Sequence, residues 1–296
     1  MLTIAIPTYN RGAILCETIE QLLRLEPHAN EIVIVDQTPA HPPEVAAKLQ
    51  AWENAGAIRM VRLAQPSIPQ AMNRALREAK SAHVLFLDDD IIPSLRLVGA
   101  HAEALRESGV WAAVGQVLQP GEEPAHFHEL VLRRGAVQDL EFRFTHDEPC
   151  DVQNVMAGNL SVDRAKALSI GGFDENFIAV AYRFETDFAL RIVAAGGRIR
   201  YTPAASIRHL KAPGGGVRAY GDHRTSPSPA HSAGDYYFAR LHVKKFWSYA
   251  ANRLLHNVVT RYHMNHPWAI PGKLIGELRG LWQGIRLAKG GRRFVE

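Results

Sequence analysis

Short apolar runs alternate with helically spaced stretches over the first third of the chain. "LTIAIPTYN" (Leu2–Asn10) has the near-continuous apolar character of a buried strand, and Pro7 ends it. "GAILCETIEQLLRL" then places Ile14, Ile19, Leu22 and Leu23 on one side of a helix. "EIVIVDQT" is a second buried strand, ending at Asp36, and "PPEVAAKLQAWENAG" is a helix that stops at Gly56. "IRMVRLA" is a third strand. "SIPQAMNRALREAK" is a helix with Pro69 in its first turn, where proline is tolerated, and "HVLFLDDD" is a fourth strand. Alternation of this kind predicts an α/β fold, a mostly parallel sheet sandwiched by helices. Ligands of such sheets bind beyond the carboxyl ends of the strands, and Asn10, Asp36 and Asp88–Asp90 all fall there.

The pattern predicts a further helix over Leu95–Ser108 and a strand over Trp111–Leu118. Residues 119–150 read as irregular, with many charges and several histidines. "GNLSVDRAKALSIGGFDENF" reads as strand, helix and turn, "ETDFALRIVAAGG" as a helix, and "RIRYTPAASIRHL" as a pair of strands. Glycine and proline crowd residues 212–235, the composition of a mobile loop. The chain from Tyr236 onward is helical and basic.

Composition narrows the class. The 296 residues are 47% hydrophobic, enough for a real core and far from a disordered composition. Two cysteines, Cys16 and Cys150, make no disulfide framework, which favours a reducing, cytoplasmic setting. Met1 leads straight into an apolar run without a basic n-region, so no leader is expected. No window has the roughly 18 apolar residues of a spanning helix. The formal net charge is +4, yet residues 240–296 carry 11 Lys/Arg against Glu277 and Glu296 alone. A basic tail on a slightly acidic body points to an anionic partner for the tail.

Three adjacent aspartates at a strand end repel one another unless something positive lies among them. A hard divalent cation held by oxygen ligands supplies it; a solvated turn or an N-cap cluster ahead of a helix accounts for the triplet as well. Asp36 reads either as a turn residue in "DQTP" or as an acceptor for a base or ribose. Glu185 and Asp187 complement a helix dipole from its first turn, or one of them is a general base. His209 closes a strand as a structural residue, or joins a metal at Asp90.

Taken in order, "IPTYNR", "EIVIVDQT", "FLDDD", "AGNLSVDR", "GGFDENF", "ETDFALR" and "IRHL" resemble the inverting family 2 glycosyltransferases of GT-A (Rossmann-like) fold. They span residues 2–210. The resemblance implies nucleotide-sugar donor binding in residues 1–118, a catalytic and acceptor-binding half over 119–235 with the loop 212–235, and a helical extension over 236–296. It puts Pro7, Thr8, Asn10 and Arg11 at the nucleoside, Asp36 at the base or ribose, and Asn73, Gly158 and Asn159 near the donor. Within the aspartate (DXD) signature it gives Asp88 to the donor ribose, Asp90 to the metal, and Asp89 to the donor side of the turn it supports. Glu185 takes the place of the catalytic base, Asp187 that of a secondary acid, and His209 that of a further ligand for Mn²⁺ or Mg²⁺. Gln37 stands where a second acid is usual and Met72 where an arginine is usual, which leaves the donor nucleotide open among UDP-, GDP- and dTDP-sugars.

In "KLIGELRGLWQGIRLAKGGRR", Leu274, Ile275, Leu278, Leu281, Trp282 and Ile285 recur at helical spacing, with Lys273, Arg279, Arg286 and Lys289 mostly off the stripe. Such a helix either packs on the catalytic domain or lies in an anionic membrane interface, a contact through 270–296 that suits a lipid-linked rather than a free saccharide acceptor. No nucleic-acid recognition pattern is present. A sugar-phosphate nucleotidyltransferase would need a glycine-rich basic loop after the first strand, and "IPTYNRGAI" has one glycine. A receiver-type phosphoryl-transfer domain would be complete in about 120 residues. A nucleotide-sugar-binding relative without activity is the remaining alternative.

Overall fold

The structure, a computed structural model, describes residues 2–128, 131–132, 141–212, 214–216 and 220–294. Its strands are β1 (Leu2–Thr8), β2 (Glu31–Asp36), β3 (Arg59–Arg62), β4 (His83–Leu87), β5 (Ile91–Pro93), β6 (Val110–Leu118), β7 (Val131–Leu132), β8 (Glu141–Phe142), β9 (Cys150–Val152), β10 (Asn159–Asp163) and β11 (Arg198–His209). The helices are α1 (Ala13–Leu22), α2 (Pro43–Asn54), α3 (Ile68–Glu78), α4 (Leu97–Ala104), α5 (Arg164–Ser169), α6 (Phe184–Ala194), α7 (Ala233–His242), α8 (Phe246–Val258), α9 (Arg261–Asn265) and α10 (Ile270–Lys289).

The main sheet runs β3-β2-β1-β4-β10-β6-β11-β5, with β9 on β11. It is parallel from β3 to β4, as the buried strands predict, and mixed beyond, because β10 enters antiparallel to both β4 and β6. Alternate residues of one strand feed opposite cores. Ile4, Ile6, Ile32, Ile34, Leu85 and Leu87 pack with α1, α2 and α4; Ala5, Val33, Val35 and Phe86 pack with α3 and α6 on the other face. Burial on both faces is why these strands read as unbroken apolar runs.

Two details bring the sequence landmarks together. The expected pair of strands over 198–210 is a single strand: β11 stays parallel to β6 on both sides of an irregularity between Thr202 and Ile207, which takes in Pro203. The apolar residues after Asp90 form β5, which pairs antiparallel with β11 in the register His209↔Ile91. Leu210 N–H donates to Asp90 O at 2.8 Å and fixes that alignment. A backbone ladder therefore sets His209 beside the aspartate triplet.

The C-terminal part is built from α7, α8, α9 and α10. A 3-10 turn at Pro229–His231 leads into α7, so the glycine- and proline-rich stretch ends inside ordered structure, with Ala230, Ala233 and Asp235 buried. The buried face of α10 is Lys273, Gly276, Glu277, Gly280 and Gly284.

Candidate functional site

A cavity of about 230 Å³ lies at the carboxyl edge of β1 and β4. Pro7, Thr8 and Arg11 line it from the end of β1, Asp88 and Asp89 from the end of β4, and His209 from the end of β11. A larger hollow of about 730 Å³, lined by Asn30, Glu31, Arg59 and Ser81, sits at the amino ends of the strands, and its carboxylates are engaged, Glu31 by Arg59 and Glu53 by the Met60 N–H. The chemistry is at the carboxyl edge, where strand-end side chains converge.

Asp88, Asp90 and His209 each offer one donor atom, all within 4.8 Å of one another. His209 Nε2 lies 3.1 Å from Asp90 Oδ1 and 3.8 Å from Asp88 Oδ2. The other ring nitrogen, Nδ1, is 3.0 Å from Gln119 Oε1, an acceptor. The contact with Gln119 holds the ring so that Nε2 faces the carboxylates, the orientation typical of a metal-ligating imidazole. Asp90 Oδ1 is buried and has no hydrogen-bond donor in good geometry. Such an oxygen is costly unless a cation fills the gap. Burial alone would raise the Asp90 pKa, but His209, the Ala212 N–H and Arg11 hold it below the usual range, so it is charged. The donor set, two carboxylates and one imidazole, fits a hard divalent cation.

Arg11 lines the cavity beside Pro7 and Thr8 and pairs with the carboxylates. Its Nε is 2.9 Å from Asp89 Oδ1 and its NH1 is 3.5 Å from Asp90 Oδ2; NH1 also donates to Gly214 O at 2.7 Å. Gly216 N–H donates to Tyr9 O at 2.8 Å. The segment after β11 thus docks on Tyr9–Arg11, and Gly216 and Tyr220 line the cavity.

Glu185 approaches from α6. Its Oε1 accepts the Ala157 N–H at 2.5 Å, and Ala157 lines the cavity. Desolvation, opposed by that hydrogen bond and reinforced by the charge of Asp88, pushes its pKa up to about 7. Three non-glycine residues just before it are left-handed: Ala179 at φ 58°, Ala181 at 55° and Arg183 at 75°. Strained backbone of this kind persists only where the surroundings over-determine it. Gly158 has no room for a side chain, since a Cβ there would lie 2.2 Å from Asp88 Oδ2.

The structure does not bring every expected residue into the cavity. Asn73 is buried with its amide engaged by the backbone: Nδ2 donates to Phe173 O and Oδ1 accepts from Phe173 N–H, both at 2.8 Å. Its neighbour Met72 lines the cavity instead. Asn159 donates to Gln116 O at 3.0 Å and to Ala205 O at 2.7 Å, and its Oδ1 meets His101 Nε2. These contacts hold β10, β6 and β11 together. Asp36 is fully buried, paired with Arg62 and with His41 Nε2 at 2.7 Å, and Gln37 beside it is the lining residue. Asn10 turns the chain at φ 55°, its N–H donating to Thr38 Oγ1 at 2.9 Å. Asp187 lies off the cavity as well: Arg191 Nε is 2.9 Å from it, His242 Nε2 2.8 Å and Arg292 NH1 2.5 Å. Arg224, in the glycine- and proline-rich stretch, pairs with Asp222 at 2.9 Å. Gln119, Ser67, Ile68 and Tyr220 carry no motif and are visible only in the fold.

A second group, His126, His146 and Asp147, also has ligand atoms within 4.8 Å. There His146 Nδ1 accepts the Phe127 N–H at 3.3 Å and His126 pairs with Asp147 at 3.1 Å, so internal contacts account for it.

The sequence profile of the family described as Glycosyl transferase family 2 matches residues 3–163, over half of the chain, and the chain belongs to that family. No curated protein matches the sequence. Among solved structures, a mannosyltransferase from Pyrobaculum calidifontis in complex with GDP-Man and Mn²⁺ aligns over 98% of this chain and 79% of its own, with 17% identity and a TM-score of 0.57. GalNAc-T7 with UDP, GalNAc and Mn²⁺ aligns over 99% and 58%, with 13% identity and a TM-score of 0.67. TarS 1-349 of S. aureus in complex with UDP-GlcNAc aligns over 98% and 73%, with 14% identity and a TM-score of 0.57. The fold is GT-A, an α/β sheet sandwiched by helices with a helical C-terminal region.

Proposed function

We propose that this family 2 glycosyltransferase moves a sugar from a nucleoside-diphosphate donor to an acceptor hydroxyl with inversion at the anomeric carbon. The products would be polysaccharide, glycolipid or another glycoconjugate. One observation supports this most: a cation-ready triad, Asp88, Asp90 and His209, sits at a cavity that Asp88 and His209 line, and Glu185, its pKa pushed up to about 7, is hydrogen-bonded to Ala157 of the same wall. The nucleotide sugars and Mn²⁺ in the similar structures support the donor class and a choice of Mn²⁺ or Mg²⁺.

Asp90, His209 and Asp88 would hold the ion, which supplies positive charge to the diphosphate as the glycosidic bond breaks. Pro7, Thr8, Gln37 and Met72 wall the nucleoside end of the cavity. Arg11 counters the charge of Asp89 and Asp90, so the triplet is compact before a donor arrives. Gly216 and Tyr220 close one side and limit the entry of water, which competes as acceptor. Glu185 takes the proton of the acceptor hydroxyl as that oxygen attacks the anomeric carbon. A single displacement needs one base and no carboxylate nucleophile. Asp187 is unsuited to either role, because Arg191, Arg292 and His242 occupy it.

A cytoplasmic location and a peripheral membrane contact belong to the same proposal. Cys16 and Cys150 are unpaired, and among the described residues no helix is long and apolar enough to cross a membrane. The test is a panel of UDP-, GDP- and dTDP-sugars, scored for binding and slow hydrolysis with Mn²⁺ or Mg²⁺, with NMR of the released sugar to read its anomeric configuration. Metal-dependent binding of one donor and release of the inverted sugar are expected. Absence of any metal-dependent donor binding, or retention of configuration, sinks the reading.

A further inference from the structure

Helix α10 is seated against the usual rule for amphipathic helices. Its buried face carries glycines at four-residue spacing, and they let the backbone close on the 3-10 turn and α7. A Cβ at Gly280 would lie 2.0 Å from Ser232 Oγ, and one at Gly284 2.7 Å from Tyr237 N. Glu277 completes that face, accepting from Tyr236 OH at 2.8 Å and pairing with Lys273 at 2.7 Å.

With the seam made of glycine, the large apolar side chains point elsewhere. Ile275, Leu278 and Trp282 are 44%, 49% and 63% exposed. At about 100° per residue they stand across the helix from the glycine seam, and Arg279, Arg286 and Lys289 fall in the same outward arc. The neighbouring elements repeat the composition. Trp247 and Leu255 on α8 are 68% and 56% exposed, and Met264 and Trp268 around α9 are 72% and 73%. Lys244, Lys245 and Arg261 are exposed among them. From Tyr236 to Phe294 the only acid is Glu277, and it is buried.

We propose that the outward faces of α8, α9 and α10 form a docking surface that lies in the headgroup layer of an anionic membrane. Exposed tryptophan beside basic residues suits the boundary between headgroups and acyl chains, where the indole is half-dehydrated and the cation meets lipid phosphate. A protein partner with this footprint would have to be acidic and apolar at once; a lipid surface is both by nature. The surface rests on the transferase reading only in its purpose, to bring the site to a lipid-linked acceptor.

The experiment uses the full chain without donor. It measures co-flotation and tryptophan fluorescence with vesicles of phosphatidylcholine plus phosphatidylglycerol, against phosphatidylcholine alone. Flotation on the anionic vesicles only, with a blue-shifted emission, is expected. The combined variant Arg279→Ser, Arg286→Ser, Lys289→Ser should partition on the order of 100-fold more weakly. Trp247→Ser with Trp268→Ser and Trp282→Ser should remove the blue shift, while both sets keep the parent's thermal unfolding and donor hydrolysis. Indifference to anionic lipid overturns the proposal. So does a concentration-dependent dimer in light scattering that the tryptophan variant abolishes with no vesicle binding, since a second copy would then cover the face. Neither result touches the metal-dependent hydrolysis that tests the transferase.

Discussion

Two acids in the first turn of α6 have opposite surroundings. Glu185 accepts the N–H of Ala157, a residue of the cavity wall, and is pushed up to about 7 by desolvation. Asp187 faces the C-terminal helices and is fully buried. Burial would raise its pKa, but His242, Arg191 and Arg292 outweigh that and bring it down to about 2. One turn of helix thus carries a carboxyl poised near neutrality behind the cavity wall and a permanent anion held in a clasp by His242, Arg191 and Arg292. Environments that push neighbouring pKa values apart divide chemistry from structure. The clasp joins distant segments, since His242 lies on α7 and Arg292 follows α10.

The largest effects should separate the two acids. Glu185→Gln keeps the shape and removes the proposed base. Transfer should fall by about 10²–10⁴-fold in single-turnover assays, with donor affinity unchanged. Retained transfer would remove Glu185 from the base role. Asp187→Asn should do the converse. It leaves Arg191 without its buried counter-charge and Arg292 with Asp174 alone, a loss of about 3–5 kcal/mol in urea unfolding. Donor hydrolysis per folded molecule should survive. If Asp187→Asn instead abolishes hydrolysis while stability holds, the division of labour is wrong.

A smaller effect should reach the cavity side without touching the clasp. Gln119 meets His209 Nδ1 and so points Nε2 at Asp90. Gln119→Leu frees the ring, and Mn²⁺ affinity, read by calorimetry, should drop about 10–100-fold. The unfolding midpoint should move little, because Gln119 is not in the core. An unchanged Mn²⁺ affinity would show that the imidazole is not held for a metal.

The sequence made the scaffold legible for a physical reason: strands buried on both faces become continuous apolar runs, and the turn chemistry between them is local. The aspartate triplet was visible because unrelieved repulsion is unusual at a strand end. The route from His209 to Asp90 was not, because it runs through β5, a three-residue strand with no period to detect. Asn73 and Asn159 matched a pattern, yet their amides are engaged by backbone groups distant in sequence. Periodicity found α10 but could not say which face is buried. Leu274, Leu281 and Ile285 are half-buried at the flanks, and Ile275, Leu278 and Trp282 are exposed. Glycine contributes nothing to a hydrophobic stripe and everything to close approach of backbones.

The finest test of the comparison is pH. Glu185 must be charged to accept a proton, so the transfer rate should fall as pH drops through about 7. One unit below its pKa the charged fraction, and with it the rate, is about tenfold lower. Stability should move the other way over that range. A raised carboxyl pKa favours the folded state at low pH, and that contribution is lost as pH rises from about 4.3 through the folded value. Asp187 has a depressed pKa, so its contribution is present above about 4 and is lost only as pH falls toward about 2. From pH 8 to 6, then, activity should decline while the urea midpoint holds or rises; the midpoint should collapse only in the acid window of Asp187. A rate and a midpoint that fall together near pH 7 would mean that the two faces of α6 share one titration, and the contrast between its two acids would be gone.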